Sequence, residues 1–224
     1  MLKRTLFIGI VSIWGINATA QTSRADPNDI EGWAGVGLSM NLPKKWDADF
    51  SYQTRRQGNI STLRGNYWSP EIGKSLTKGI RTFFNYRYAN TVNGNSSRIG
   101  WGWQFNVKKQ KWAFDFRPQV QYTIRFADDG DITNNTKWIM RTRLQAKKKI
   151  TKKTDLYFSS EPYFTFENGE YPIDNIRNTI GLKYEWIKNS KVDLFYIYRP
   201  DFAKSYNRTF HVIGLMFDLD LKIK

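Results

Sequence analysis

Cysteine is absent from this 224-residue chain, and histidine occurs once. Those two gaps exclude disulfide frameworks, thiol nucleophiles and structural zinc, and they leave no histidine pair to hold a metal. A long hydrophobic run is missing too: beyond Ile16 no apolar stretch is long enough to cross a bilayer as a helix. Acidic residues are few, 20 Asp and Glu against 35 Lys and Arg, giving a formal charge of +15 and a pI near 9.9. No glycine-rich phosphate loop occurs. Asp128-Asp129-Gly130-Asp131 lacks the ligand spacing and terminal Glu of a calcium loop and reads as a solvated turn. Aromatics are what abound. Nine Trp, twelve Tyr and fifteen Phe make up 16% of the chain, which excludes a disordered protein, although the mean hydropathy is only −0.60.

Residues 1–20 have the form of an export leader. Lys3 and Arg4 precede a short apolar segment from Leu6 to Ile16, and Ala18-Thr19-Ala20 supplies the small-residue cleavage pattern. No cysteine follows it, so a lipid anchor of the bacterial lipoprotein kind is excluded. The reading that results is a signal peptide at 1–20, a polar N-terminal segment at 21–31, and a single domain over 32–224. If that domain is integral to a membrane, it must cross as a closed barrel of strands.

Period-two alternation runs through nearly all of it. Ile99, Trp101, Trp103, Phe105 and Val107 alternate with Arg98, Gly100, Gly102, Gln104 and Asn106. The next run sets Trp112, Phe114, Phe116, Pro118, Val120, Tyr122 and Ile124 against Asp115, Arg117, Gln119, Gln121, Thr123 and Arg125. Comparable runs at about 33–42, 46–57, 61–76, 80–90, 136–147, 155–166, 175–186, 192–201 and 208–221 bring the expected strands to eleven. They are longer than the ~5–6 residues usual in soluble sheets. Short basic turns at 43–45, 77–79, 108–111, 147–153 and 188–191 alternate with longer polar loops at 57–60, 91–97, 126–135, 167–174 and 201–207. Short turns at one end and long loops at the other is the build of outer-membrane barrels.

A loop centred on Lys109-Gln110 would place Phe105 opposite Phe114 and Trp101 opposite Pro118, apolar against apolar. Alternation alone fits both a soluble barrel, apolar face inward, and a membrane barrel, apolar face outward. The second is favoured by the twelve uncharged apolar positions of 98–125 and by Trp46, Trp68, Trp112, Trp138 and Trp186 near strand ends. The polar face would then carry a charge network inside the barrel. Arg117 belongs to it, as do Arg141 and Arg143 with Glu161 and Arg177. Hairpins centred on Thr151 and Gly169 put Glu161 opposite both Arg141 and Arg177, a carboxylate bracing three strands. Single-chain bacterial barrels have even strand numbers. Eleven runs therefore imply either a twelfth crossing from 21–31 or an incomplete first strand, that is, ten to twelve strands.

Little here points to catalysis. The lone histidine, His211, shares its parity with Ile213, Leu215, Phe217 and Leu219 and so points away from the lumen. No serine with the hydroxyl-to-base geometry of a nucleophile identifies itself beside it. The inward carboxylates sit among arginines that keep them ionised, and no cofactor is expected. The basic residues form no single stripe, so nucleic acid is not an expected partner. Turn lysines suit anionic headgroups instead.

The opening Trp33 strand, Lys-Lys-Trp-Asp at 44–47 and Trp-Ile-Met-Arg-Thr-Arg at 138–143 carry a resemblance, together with Ser-Glu-Pro-Tyr-Phe at 160–164 and Ile-Arg-Asn-Thr-Ile-Gly-Leu-Lys-Tyr at 176–184. On these, residues 30–221 resemble a family of uncharacterised small outer-membrane β-barrels of Gram-negative bacteria, a domain of unknown function. The resemblance implies fold and location without an assigned activity. It departs at the C-terminus, where Phe217 is the last aromatic and the chain ends Leu-Asp-Leu-Lys-Ile-Lys; such barrels usually finish on an aromatic read by the insertion machinery.

The combined expectation is an all-β, transmembrane, antiparallel up-and-down barrel of 10–12 strands, exported by its signal peptide to the cell outer membrane. Its lumen would be filled by Arg, Gln, Asp and Glu, and its role structural or interactive rather than enzymatic. Its partners would be outer-membrane lipid, lipopolysaccharide and, during biogenesis, the insertion machinery. A narrow anion-preferring pore, an outer-rim lipid hydrolase resting on His211, and a secreted soluble barrel binding an apolar ligand are the alternatives.

Overall fold

A computed structural model of the chain describes residues 28–126, 136–166, 172–202 and 208–222. The expected leader at 1–20, the acidic turn Asp128–Asp131 and most of the loops at 126–135, 167–174 and 201–207 lie outside the described residues. Eleven strands follow in order: β1 (Asn28–Asn41), β2 (Trp46–Gln57), β3 (Thr62–Thr77), β4 (Ile80–Thr91), β5 (Gly94–Lys109), β6 (Trp112–Phe126), β7 (Lys137–Lys149), β8 (Thr154–Phe166), β9 (Ile173–Ile187), β10 (Ser190–Asp201) and β11 (Arg208–Lys222). Each is hydrogen-bonded to its sequence neighbours, and β1 pairs with β11 to close the barrel.

That closure corrects the expected all-antiparallel arrangement. β1 and β11 run parallel, in register from Asn28 beside Thr209 to Asn41 beside Lys222. The reason is arithmetic: in an up-and-down meander with an odd number of strands, first and last must point the same way. Neither a twelfth crossing nor an incomplete first strand is needed. The polar N-terminal segment expected at 21–31 is correspondingly shorter, because residues 28–31 already belong to β1.

Alternation sets the faces. Trp101, Phe116 and Ile180 are 54%, 40% and 51% exposed on the outside, while Arg117, Arg141 and Glu161, on the opposite parity, are largely buried. Two hairpins differ from the expected register by two residues. In β5–β6 the turn is Gln110-Lys111, with Gln110 in the left-handed region at φ 54°, so Phe105 faces Phe116 and Trp101 faces Val120. In β7–β8 the turn is closed by Ile150 and Thr151 N–H groups donating to the Thr154 carbonyl at 2.9 and 3.2 Å, and Arg141 faces Tyr163. A slip of two leaves every side chain on its own face, whereas a slip of one would have inverted the barrel.

One expected long loop is a tight turn. β4 and β5 are joined by Val92-Asn93 alone. Thr91 Oγ1 accepts the Asn93 N–H at 3.3 Å and donates to the Gly94 carbonyl at 2.8 Å, and Gly94 supplies the φ of 90° that closes the turn. The polar run 94–97, read as loop, is the first part of β5. Where the wall must accommodate large inward groups it uses glycine: a Cβ on Gly102 would lie 2.5 Å from the Pro118 carbonyl oxygen and 2.7 Å from the Phe83 ring.

Candidate functional site

The inward positions carry most of the chain's charge, and β-sheet register stacks them in tiers. Nearest the short turns, Arg81 on β4 binds Glu71 on β3 at 2.8 Å and Asp47 on β2 through Nε at 2.9 Å. Around the same rim Lys191 pairs with Asp220 at 2.6 Å, Lys183 with Asp193 at 3.2 Å, and Lys147 with Asp155 at 3.6 Å. These pairs bridge neighbouring or next-but-one strands, so they tie the wall together as well as neutralising it.

At mid-height sit the residues singled out from sequence. Arg117 binds Glu71 and lays its guanidinium on the Phe83 ring, 3.9 Å from the centroid. Arg143 pairs with Asp115 at 3.1 Å. Arg141 lies 3.5 Å from Glu161 and donates to Gln119 at 2.8 Å and to the Tyr163 hydroxyl at 2.9 Å. Arg177 faces Glu161 in register, yet its guanidinium rests on the Tyr163 ring at 4.4 Å. The expected carboxylate between two guanidiniums is therefore an Arg141–Glu161 contact with Tyr163 inserted as the bridge to Arg177. The two-residue register difference in β7–β8 causes this, by putting Tyr163 where Glu161 was expected.

Sequence reasoning missed the tier nearest the loops. Glu31, with no exposed surface, accepts from Arg199 at 2.9 Å, from the Trp33 indole at 2.9 Å, and from Arg64. Arg55 is sandwiched between Trp33 and Tyr67, 3.7 and 4.1 Å from the ring centroids. Trp33, Ile197 and Val212 form an apolar cluster against Phe195, so this part of the interior is not solely polar. The signal was present: Glu31 shares the parity of Trp33, and Arg199 lies on the parity of Asp193.

Between the turn-end rim and mid-height lies a cavity of about 610 Å³. Its lining reaches from Lys147, Asp155 and Asp220 to Arg87, Arg98, Arg141 and Glu161. At its loop-side end and above it the inward side chains of Trp33, Arg55, Tyr67, Ala89, Gln121, Tyr163, Arg199 and Val212, drawn from eight strands, are all buried.

Outside, aromatics gather at two heights. Near the short turns, Lys74 lies 5.0 Å over Trp46 and Lys148 5.0 Å over Trp112. Towards the loops, Trp68 packs on Tyr52 and Tyr88 and Trp138 on Tyr122, with centroids 4.8 to 5.7 Å apart. From Trp112 to Tyr122 along β6, at about 3.4 Å per residue and a tilt of about 40°, the rise is about 26 Å. His211 belongs to the second belt: its Nδ1 is 2.6 Å from the Tyr196 hydroxyl, and its ring packs against Tyr196 and Tyr198. Among the described residues no group of acids and histidine is arranged to hold a metal ion.

Two solved structures share the architecture. One, described as a bacterial polysaccharide outer membrane secretin, aligns with a TM-score of 0.52 at 10% identity over 75% of this chain. The chain spans 62% of that structure's length. The other, the NanC porin, aligns with a TM-score of 0.50 at 13% identity, over 76% of this chain and 86% of the porin. At such identities the likeness is one of fold. No curated protein sequence matches the chain. A family model described as "Protein of unknown function (DUF2490)" matches residues 30–209. Most of the barrel falls within that match, and the chain belongs to the DUF2490 family.

Proposed function

We propose that this chain is an integral outer-membrane barrel, exported by the leader at 1–20, whose passage is closed by its own side chains in the half nearest the loops. Its role is then structural or interactive rather than conductive or catalytic. One observation carries the reading: inward residues from eight of the eleven strands, from Trp33 and Arg55 round to Arg199 and Val212, are buried at this height. Side chains lining an aqueous channel keep accessible surface; these have almost none. Membrane placement is supported by the many large apolar side chains exposed on the outside, among them Val36, Phe84, Trp101, Phe158, Ile180 and Leu194. A soluble monomer rarely exposes contiguous apolar patches beyond a few hundred Å². The two aromatic belts stand about as far apart as the apolar band of outer-membrane barrels, about 25 Å, is tall. His211, bound to tyrosine in the outer belt, reads as a belt residue and not as the base of a lipid hydrolase.

Reconstitution of the purified full-length protein in planar bilayers tests the closure. The expected result is an intact, heat-modifiable barrel with no steady current. Reproducible conductance steps that scale with protein would overturn the closed reading and favour a narrow pore. Envelope fractionation tests the location: recovery in a soluble fraction without detergent would remove the membrane reading altogether.

A further inference from the structure

Arg87 on β4 and Arg98 on β5 stand directly opposite one another in the antiparallel register. Like charges in that position repel. By contrast, Arg81 and Arg117 share Glu71, and Arg143 has Asp115. Among the described residues, Arg87 and Arg98 are bonded only to neutral oxygens. Arg87 Nε donates to Ser69 Oγ at 2.9 Å, and Arg98 donates to Thr123 Oγ1 at 3.0 Å and to Gln121 Oε1 at 3.5 Å. Neither forms an ion pair with any described carboxylate. The like charges of Arg141 and Arg177 act on both.

The carboxylates lining the same cavity, among them Glu71, Asp155 and Glu161, are engaged by other cations, Arg81 and Arg117, Lys147, and Arg141 respectively. Buried N–H groups of Arg117, Arg143, Arg177 and Gln119 lack hydrogen-bond partners. An unsatisfied buried donor is costly, and these lie on β6, β7 and β9, across the lumen from Arg87 and Arg98 or beside them. Both Arg87 and Arg98 line the cavity of about 610 Å³, a volume within the usual range of small-molecule sites.

We propose that Arg87 and Arg98 form the floor of a binding site for a small soluble oxyanion, of phosphate, sulfate or carboxylate type, at the inner end of the lumenal cavity. The two side chains start from paired positions and lean to either side, Arg87 towards Ser69 on β3 and Arg98 towards Thr123 on β6, and an anion held by the terminal N–H groups of both guanidiniums turns a repulsive pair into an attractive one. The barrel wall separates the site from lipid headgroups, so the ligand enters from the turn-end solution. The site requires a folded barrel with its charges inward and does not depend on closure. Conductance would refute the closed reading and leave this site standing.

The test is calorimetric titration of inorganic phosphate into the full-length protein in detergent, against choline chloride at matched ionic strength. Wild type is expected to show one saturable site. Arg98→Gln and Arg87→Gln are each expected to weaken it about tenfold or more, which is about 1.4 kcal/mol. Arg98→Lys keeps the charge but loses the fork and is expected to weaken phosphate binding with the fold intact. In phosphate-free buffer Arg98→Gln melts no lower than wild type, because the repulsion is relieved. Arg81→Gln, whose guanidinium is already bound to carboxylates, loses stability and keeps its phosphate affinity. Absence of a response beyond the ionic-strength control, or unchanged binding in both Arg98 variants, overturns the proposal.

Discussion

Replacing Glu31 by alanine tests the interior tier nearest the loops most directly. The carboxylate has no exposed surface and serves two guanidiniums and an indole. A unit-charge pair about 4 Å apart contributes about 4 kcal/mol at an effective dielectric of about 20. Glu31→Ala removes two such attractions and leaves Arg199, whose side chain is 8% exposed, without its carboxylate. It also orphans the Trp33 N–H. Against this, the folded state no longer bears the desolvation of Glu31 itself, and Arg64, 33% exposed, recovers water. The net expectation is a loss of about 3–5 kcal/mol, the range for breaking a buried ion pair from one side. Glu31→Gln keeps an acceptor for Trp33 and one arginine, so it should cost less, about 2 kcal/mol. Urea unfolding of the barrel in lipid vesicles, followed by tryptophan fluorescence, gives both values, and a Glu31→Ala/Arg199→Leu double mutant isolates the coupling. A loss below about 1 kcal/mol for Glu31→Ala, within the ordinary surface range, would show that this tier is hydrated and would refute the reasoning.

Three further outcomes are expected. Trp101→Arg, at the middle of β5 on the outer face, should destabilise the barrel in vesicles by about 2–4 kcal/mol, and Val107→Arg, near the strand's end, by about 0–1 kcal/mol; equal costs would contradict the lipid-facing assignment. The parallel seam predicts that Val36→Cys with Phe217→Cys, partners in register, oxidises to a disulfide, while Val36→Cys with Ile213→Cys does not; the chain's lack of cysteine keeps the gel assay free of background. Gly102→Ala drives a methyl against the Pro118 carbonyl and should cost about 1–3 kcal/mol by the same unfolding measurement.

The strand pattern was legible because a membrane barrel needs the same alternation along its whole circumference, and runs such as 98–107 and 112–125 state it without interruption. Register was legible only to within two residues. Alternation specifies which face a residue takes, but Gln110-Lys111 and Lys109-Gln110 satisfy it equally well. The choice rests on one left-handed residue, Gln110, whose type does not advertise it. That small difference rearranged the charge contacts: Tyr163 took the place opposite Arg141, and Glu161 kept only Arg177 as its expected partner in register. Glu31 does not stand out in the sequence because Pro27 and the polar residues before it disguise the start of β1 as loop. The Arg87–Arg98 pair was invisible for a different reason. It arises from a hairpin whose polar residues 94–97 read as a long loop, and that reading does not place the two arginines opposite each other.

Parallel closure leaves Asn28 and Lys222 at opposite mouths of the cylinder. An epitope placed ahead of Asn28 and another placed after Lys222 would therefore be displayed on different sides of whatever sheet of lipid the cylinder pierces. In a barrel with an even number of strands both would emerge together, so differential antibody access at the two ends reports strand parity and orientation at once, with every rung of the ladder left untouched.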